Sequence, residues 1–127
     1  MGVDVIGKEP RSRIGDLYMS NWGWWGCLIS YLWAHGPRDV MARCQHWGSN
    51  DGHGLDNVGS CALADALEAL VKSGHFGAYM GIDFEELDAF FVDCGEPSES
   101  DERRRSAEAY ALEFVEFLRN CGGFEIW

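Results

Sequence analysis

Both ends of this chain read as β-strand and nearly everything between them reads as helix, and that arrangement most constrains the fold. Val3 and Val5 alternate with Asp4 before Ile6-Gly7, and Phe124-Glu125-Ile126-Trp127 alternates in the same way at the other end. A lone terminal strand is unstable, so the C-terminal strand is expected to pair with Val3 to Ile6, bringing the termini together. The turn-forming stretch from Lys8 to Gly15 follows the first strand.

Ser20 or Asn21 can cap a first helix that runs to His35 and stops at Gly36-Pro37. Its apolar residues lie nearly all round, so it is expected to be central. Arg38 to Gln45 suits a short second helix. Asp56 or Asn57 can cap the next, in which Cys61, Leu63, Ala64, Leu67, Leu70 and Val71 keep helical spacing up to Gly74. Asp83 and Glu86 stand as a capping box before Phe84, Leu87, Phe90, Phe91 and Cys94, and Gly95 closes that run. After the linker Glu96 to Glu99, Ser98 or Ser100 opens a last helix with Ala107, Tyr110, Ala111, Phe114, Val115 and Leu118 on one stripe, ended by Gly122-Gly123. The expectation is an α+β, mainly helical fold of four to five helices with a small sheet made by the N- and C-terminal strands. At 127 residues it is read as a single domain spanning 1–127.

Apolar residues make up 46% of the chain, enough to offset ordering entropy despite a formal charge of -11. The N-terminus lacks a secretion signal, and the apolar stretch Trp22 to Trp33 is too short to cross a bilayer, so a cytoplasmic protein is expected. Five dispersed cysteines with no C-x-x-C pair suggest neither a disulfide framework nor a zinc ribbon. No cofactor and no metal are expected.

Charge is uneven. Residues 1–48 carry a net +1 and residues 49–127 a net -12, and between Asp83 and Glu102 nine carboxylates occur with no cation. Such a tract repels nucleic acid and attracts basic surfaces. Asp83, Glu85, Glu86, Asp88, Asp93 and Glu96 are the candidate partner-binding residues, set among Phe84, Phe90 and Phe91 so that they could imitate a phosphate backbone. The plainer reading is a solvated face. Arg103, Arg104 and Arg105 are expected to pair with carboxylates such as Glu108.

The loop Ser49-Asn50-Asp51-Gly52-His53-Gly54-Leu55-Asp56 precedes a helix N-terminus, where anions are favoured, so a small phosphate-bearing or polar ligand could sit there. Its Gly and Asx content equally suits a loop that bonds its own amides. Asp51, His53 and Asp56 could serve as acid and base, but no nucleophile accompanies them, and catalysis ranks third among the readings. Cys44, His46 and His53 match no known metal-ligand spacing. Trp22, Trp24, Trp25, Trp33 and Trp47 would supply either a core or an aromatic ligand wall. Stacking on single-stranded nucleic acid would also need a cationic groove, for which only Arg11, Arg13, Arg38 and Arg43 are at hand.

Four segments together resemble an uncharacterised family of small proteins found in bacteria and their phages. They are Met1 to Gly7 with Pro10 and Ser12, Asn21 to Trp25, Ser49 through Leu55-Asp56 to Leu67, and Phe117 to Ile126. The resemblance implies a phage or mobile-element setting and no particular activity. Members of that family carry zinc-ribbon-like C-x-x-C-x-G insertions between the middle and final helices. Here the acid- and Phe-rich stretch from Phe84 to Glu102 stands in their place, so a metal role is not carried over.

The leading expectation is a non-enzymatic binding protein that inhibits a host antiviral or nuclease system, in the manner of an anti-CRISPR protein, by docking an acidic face on a basic protein surface, with no direct nucleic-acid or membrane contact. The alternative is a small-ligand or nucleotide binder using Trp22, Trp25, Asn50, Asp51, His53 and Asp56.

Overall fold

The computed structural model describes residues 2–80 and 100–127, the side chains of 100–103 excepted. The helix read from Asp83 to Gly95 and the linker after it lie outside the described residues. The fold is α+β and mainly helical, with a small antiparallel sheet from both ends of the chain. The elements are β1 (Gly2–Gly7), β2 (Leu17–Asn21), α1 (Trp22–His35), α2 (Arg38–Met41), α3 (Asn57–Lys72), α4 (described over residues 75–80), α5 (Ser100–Asn120) and β3 (Phe124–Ile126). A short 3-10 turn, Arg13–Gly15, precedes β2.

The chain forms two compact units, residues 1–67 with 113–127, and residues 68–112. In the first, the strand order is β2-β1-β3. β1 pairs with β3 through Val5 opposite Ile126 and Ile6 opposite Glu125, as the alternation at the two ends requires. The Trp127 N–H extends this pairing by donating to the Asp4 carbonyl at 2.6 Å. Val3, Val5, Tyr18, Phe124 and Ile126 turn inward and are buried, while Asp4, Ile6, Leu17 and Met19 are exposed.

The inward residues meet a cluster of rings. Phe114 lies 5.0 Å from Tyr18, 5.4 Å edge-on from Trp25 and 6.1 Å from Phe117, and Trp47 lies 5.8 Å from Phe124, all between ring centroids. Separations and tilts of this kind are those that ring quadrupoles favour.

Asn21 caps α1, its side chain accepting from the Trp24 N–H at 2.8 Å. The helix buries Trp25, Leu28, Ile29, Tyr31 and Leu32 on one side, but Cys27, Trp33 and Ala34 are exposed, so it is not enclosed all round. α2 ends at Met41, because Arg43 and Cys44 turn back with N–H groups bonded to Val40 and Met41 carbonyls instead of continuing the helix. In the second unit Val71, Phe76, Met80, Ala107 and Ala111 are buried. No helix among the described residues is long and apolar enough to cross a membrane.

Candidate functional site

The Ser49 to Asp56 loop is built against the C-terminal strand. Gly52 N–H donates to the Ile126 carbonyl at 2.9 Å, Ile126 N–H to the His53 carbonyl at 2.8 Å, and Phe124 N–H to the Leu55 carbonyl at 2.9 Å. A bridge between Asp56 and Gly123 continues the pairing. The loop therefore runs antiparallel along the outer side of β3, and this close approach explains its glycines. A Cβ on Gly54 would stand 1.8 Å from the Phe124 carbonyl oxygen, and one on Gly52, whose φ is +90°, would stand 2.6 Å from the Trp127 ring.

The loop's last residue faces α3. Asp56 Oδ1 accepts from the Gly59 N–H at 2.7 Å, and the Asp56 carbonyl accepts from Ser60 N–H at 2.9 Å. The helix N-terminus thus already holds a carboxylate, placed where the dipole favours negative charge. A phosphate brought there would meet that carboxylate, with the Gly52 and Gly59 amides already committed. The Gly52 amide, the His53 and Leu55 carbonyls and the Asp56 cap thus serve the fold.

What remains open lies just before the loop. Ile29 and Trp33 of α1, one helical turn apart, face Gln45, His46, Trp47, Gly48 and Ser49 across an open cleft of about 410 Å³. Trp47 is buried and its indole N–H donates to the Met41 carbonyl at 2.9 Å, which fixes the cleft floor. Trp33 is 41% exposed and forms a wall. The ring of the cleft-lining His46 meets that of His53 edge to face with centroids 4.8 Å apart. His53 Nε2 stands 3.6 Å from Asp51 Oδ1, which accepts from Ser49 Oγ at 2.9 Å.

The residues picked out for ligand binding are thus divided. Asp51 and His53 contact the cleft-lining Ser49 and His46 without lining the cleft themselves, and Asn50 is exposed beside them in sequence, whereas Asp56 is a helix cap. Trp25 is a correction: it is buried, and its indole N–H donates to the Trp47 carbonyl at 2.8 Å, so it is core and not ligand wall. Trp22, at the start of α1, is half-buried and does not line the cleft. Trp33 takes the wall position. Its spacing of four residues from Ile29 was the available signal, masked by the apolar residues all along that helix.

Burial pushes the Cys44 thiol up to about 11, a backbone hydrogen bond at His46 opposing and the Asp51 carboxylate adding to the rise. Burial likewise raises Cys121. Both are therefore thiols at neutral pH and poor ligands or nucleophiles. Among the described residues, no group of three or more His, Cys, Asp or Glu is placed to hold a metal ion. The acidic candidates Asp83, Glu85, Glu86, Asp88, Asp93 and Glu96 lie outside the described residues.

No family model, no curated protein and no solved structure matches the chain.

Proposed function

We propose that this is a non-catalytic binding protein of a phage or mobile element, which docks an acidic surface on a basic surface of a host nucleic-acid-binding complex and so inhibits it. The observation that carries this reading is the run of nine carboxylates without a cation between Asp83 and Glu102, in a chain whose formal charge is -11. Glu113 and Glu116, exposed on α5, add further carboxylates. A field of this sign steers association with basic surfaces and disfavours nucleic acid itself. The rings of Phe84, Phe90 and Phe91 lie among the carboxylates in sequence and would add apolar contacts to a partner.

The test is capture of partners from the natural host on the immobilised full chain, at low and at high salt. Capture should fall steeply with salt, and the variant Glu85→Gln, Glu86→Gln, Asp88→Asn, Asp93→Asn should lose it. Undiminished capture by that variant would sink the reading.

A second reading is favoured by the half-exposed Trp33 beside its cleft. The lining has an indole face, the Gln45 amide and the Ser49 hydroxyl, with no Lys or Arg among the described residues, so it suits a flat heteroaromatic ligand without phosphate. A panel of nucleosides and nucleobases should contain one that raises the melting temperature of the native chain and not of Trp33→Ala. No shift across the panel counts against this reading.

A further inference from the structure

Among the described residues the sheet has one open edge, and its backbone is set to receive another strand. β2 is the outer strand in the order β2-β1-β3. Gly7 N–H donates to the Asp16 carbonyl at 3.0 Å, and the register then makes Val5 with Tyr18 and Val3 with Ser20 the hydrogen-bonded pairs. Leu17 and Met19 fall in the intervening positions, opposite Ile6 and Asp4. Asp4 confirms the alternation, because its carbonyl accepts from Trp127 on the β3 side. The N–H and C=O groups of Leu17 and Met19 therefore point away from the sheet.

Open edges are usually guarded by Lys, Pro, a bulge or a covering loop. β2, Leu17-Tyr18-Met19-Ser20-Asn21, has no Lys and no Pro, and its Leu17 and Met19 side chains are 45% and 69% exposed. A groove of about 320 Å³ runs beside it, lined by Ile14, Leu17, Tyr18, Met19, Phe117 and the carboxylate-bearing Glu113. Backbone groups in line with a groove of alternating character are what strand addition uses: main-chain bonds hold the added segment and the groove selects alternate side chains.

We infer that the β2 edge binds an extended segment of another protein with alternating apolar and basic side chains, the apolar ones entering the Ile14, Leu17, Met19 groove and a basic one meeting Glu113. Charge selects this occupant over a second copy. β2 itself carries no charged residue to face Glu113, and self-pairing would bring together two chains of charge -11. The sign of the partner's charge rests on the acidic-binder reading above; the strand pairing does not.

The probe is a short, end-capped, fluorescent peptide of alternating Val and Lys, titrated against the full chain at low salt. Two further peptides carry N-methyl groups on the Val amides or on the Lys amides, which keeps charge and side chains but removes donors from one edge of the strand or the other. One methylated frame should bind roughly tenfold or more weakly while the other binds like the parent, since each lost net hydrogen bond is worth about 1 kcal/mol. Met19→Pro, which removes an N–H facing the open edge and no ladder bond, should weaken the parent peptide similarly. Equal binding of all three peptides would overturn the inference, even if Met19→Pro fails to fold. Loss of peptide binding in the acid-neutralised variant alone, with Met19→Pro and both frames unaffected, overturns the edge and leaves the acidic reading standing. Frame-dependent binding of an alternating Val and Glu peptide, as tight as its Lys counterpart, keeps the edge and overturns the charge assignment. A dimer in light scattering that Met19→Pro dissolves would make the occupant a second copy and overturn the partner proposed.

Discussion

At the scale of single residues, the most informative positions are those where one added methyl group decides between strain and gain. Gly54→Ala would drive a Cβ into the Phe124 carbonyl, a backbone atom that cannot step aside without breaking the loop from β3. It should cost at least roughly 2 kcal/mol by urea unfolding. Gly26, exposed in the middle of α1 with nothing within 4 Å of its would-be Cβ, should behave in the opposite way. Gly26→Ala should stabilise by about 0.5–1 kcal/mol, because it lowers the entropy of the unfolded chain at no steric cost. Cys44 sets a pH dependence. Its buried thiol titrates near 11 in the fold against 9.0 for an unperturbed thiol, so the unfolded chain releases the proton first. Stability from this group is complete below about pH 9 and declines as pH rises toward 11, by about 2–3 kcal/mol at the limit. Urea midpoints of the native chain should fall more over that range than those of Cys44→Ala.

At the scale of elements, the Asp56 cap separates the structural account of the loop from a ligand-binding one. Asp56→Ala removes the acceptor for Gly59 N–H and should cost about 1 kcal/mol in the absence of any ligand. Asp51→Ala, whose carboxylate is exposed and bonds Ser49, should change stability by less than about 0.5 kcal/mol. Equal losses in thermal melts of the two variants would contradict that division. Most elements were legible because periodicity and caps agreed: Asn21 before α1, Asp56 before α3 and the alternation at both termini all lie where the structure uses them. β2 was not legible. Leu17-Tyr18-Met19 places three apolar residues in a row, so no alternation announces a strand. It becomes one because β1 needs a second partner and Tyr18 packs on Phe114. α4 was hidden for a related reason, since the segment from His75 to Met80 contains Gly77 and two aromatics, and burial of Phe76 and Met80 outweighs weak intrinsic propensity. Of the candidate site, the loop could be found from its composition, but its purpose could not. The strand that its glycines accommodate lies some seventy residues further along the chain, and a local pattern holds no trace of so distant a partner.

At the scale of the whole molecule, uncompensated charge links the stability of the free chain to its binding. An excess of eleven negative charges repels itself in the folded state more than in the expanded unfolded one. Salt screens that repulsion within a Debye length of about 8–10 Å at ordinary ionic strength. Screening should therefore raise the melting temperature of the isolated chain, by a few degrees between low salt and half-molar sodium chloride if self-repulsion relieved is on the order of 1 kcal/mol. The same screening weakens any attraction between the proposed acidic face and a basic partner, so on that proposal affinity should fall over the same range. The two responses have opposite sign and one cause. Neutralising Glu85, Glu86, Asp88 and Asp93 should then flatten both, stabilising the free chain at low salt while weakening its complexes. A variant that gains low-salt stability and keeps full, salt-insensitive association would place binding elsewhere, on surfaces such as the Trp33 cleft, where charge has little part in recognition.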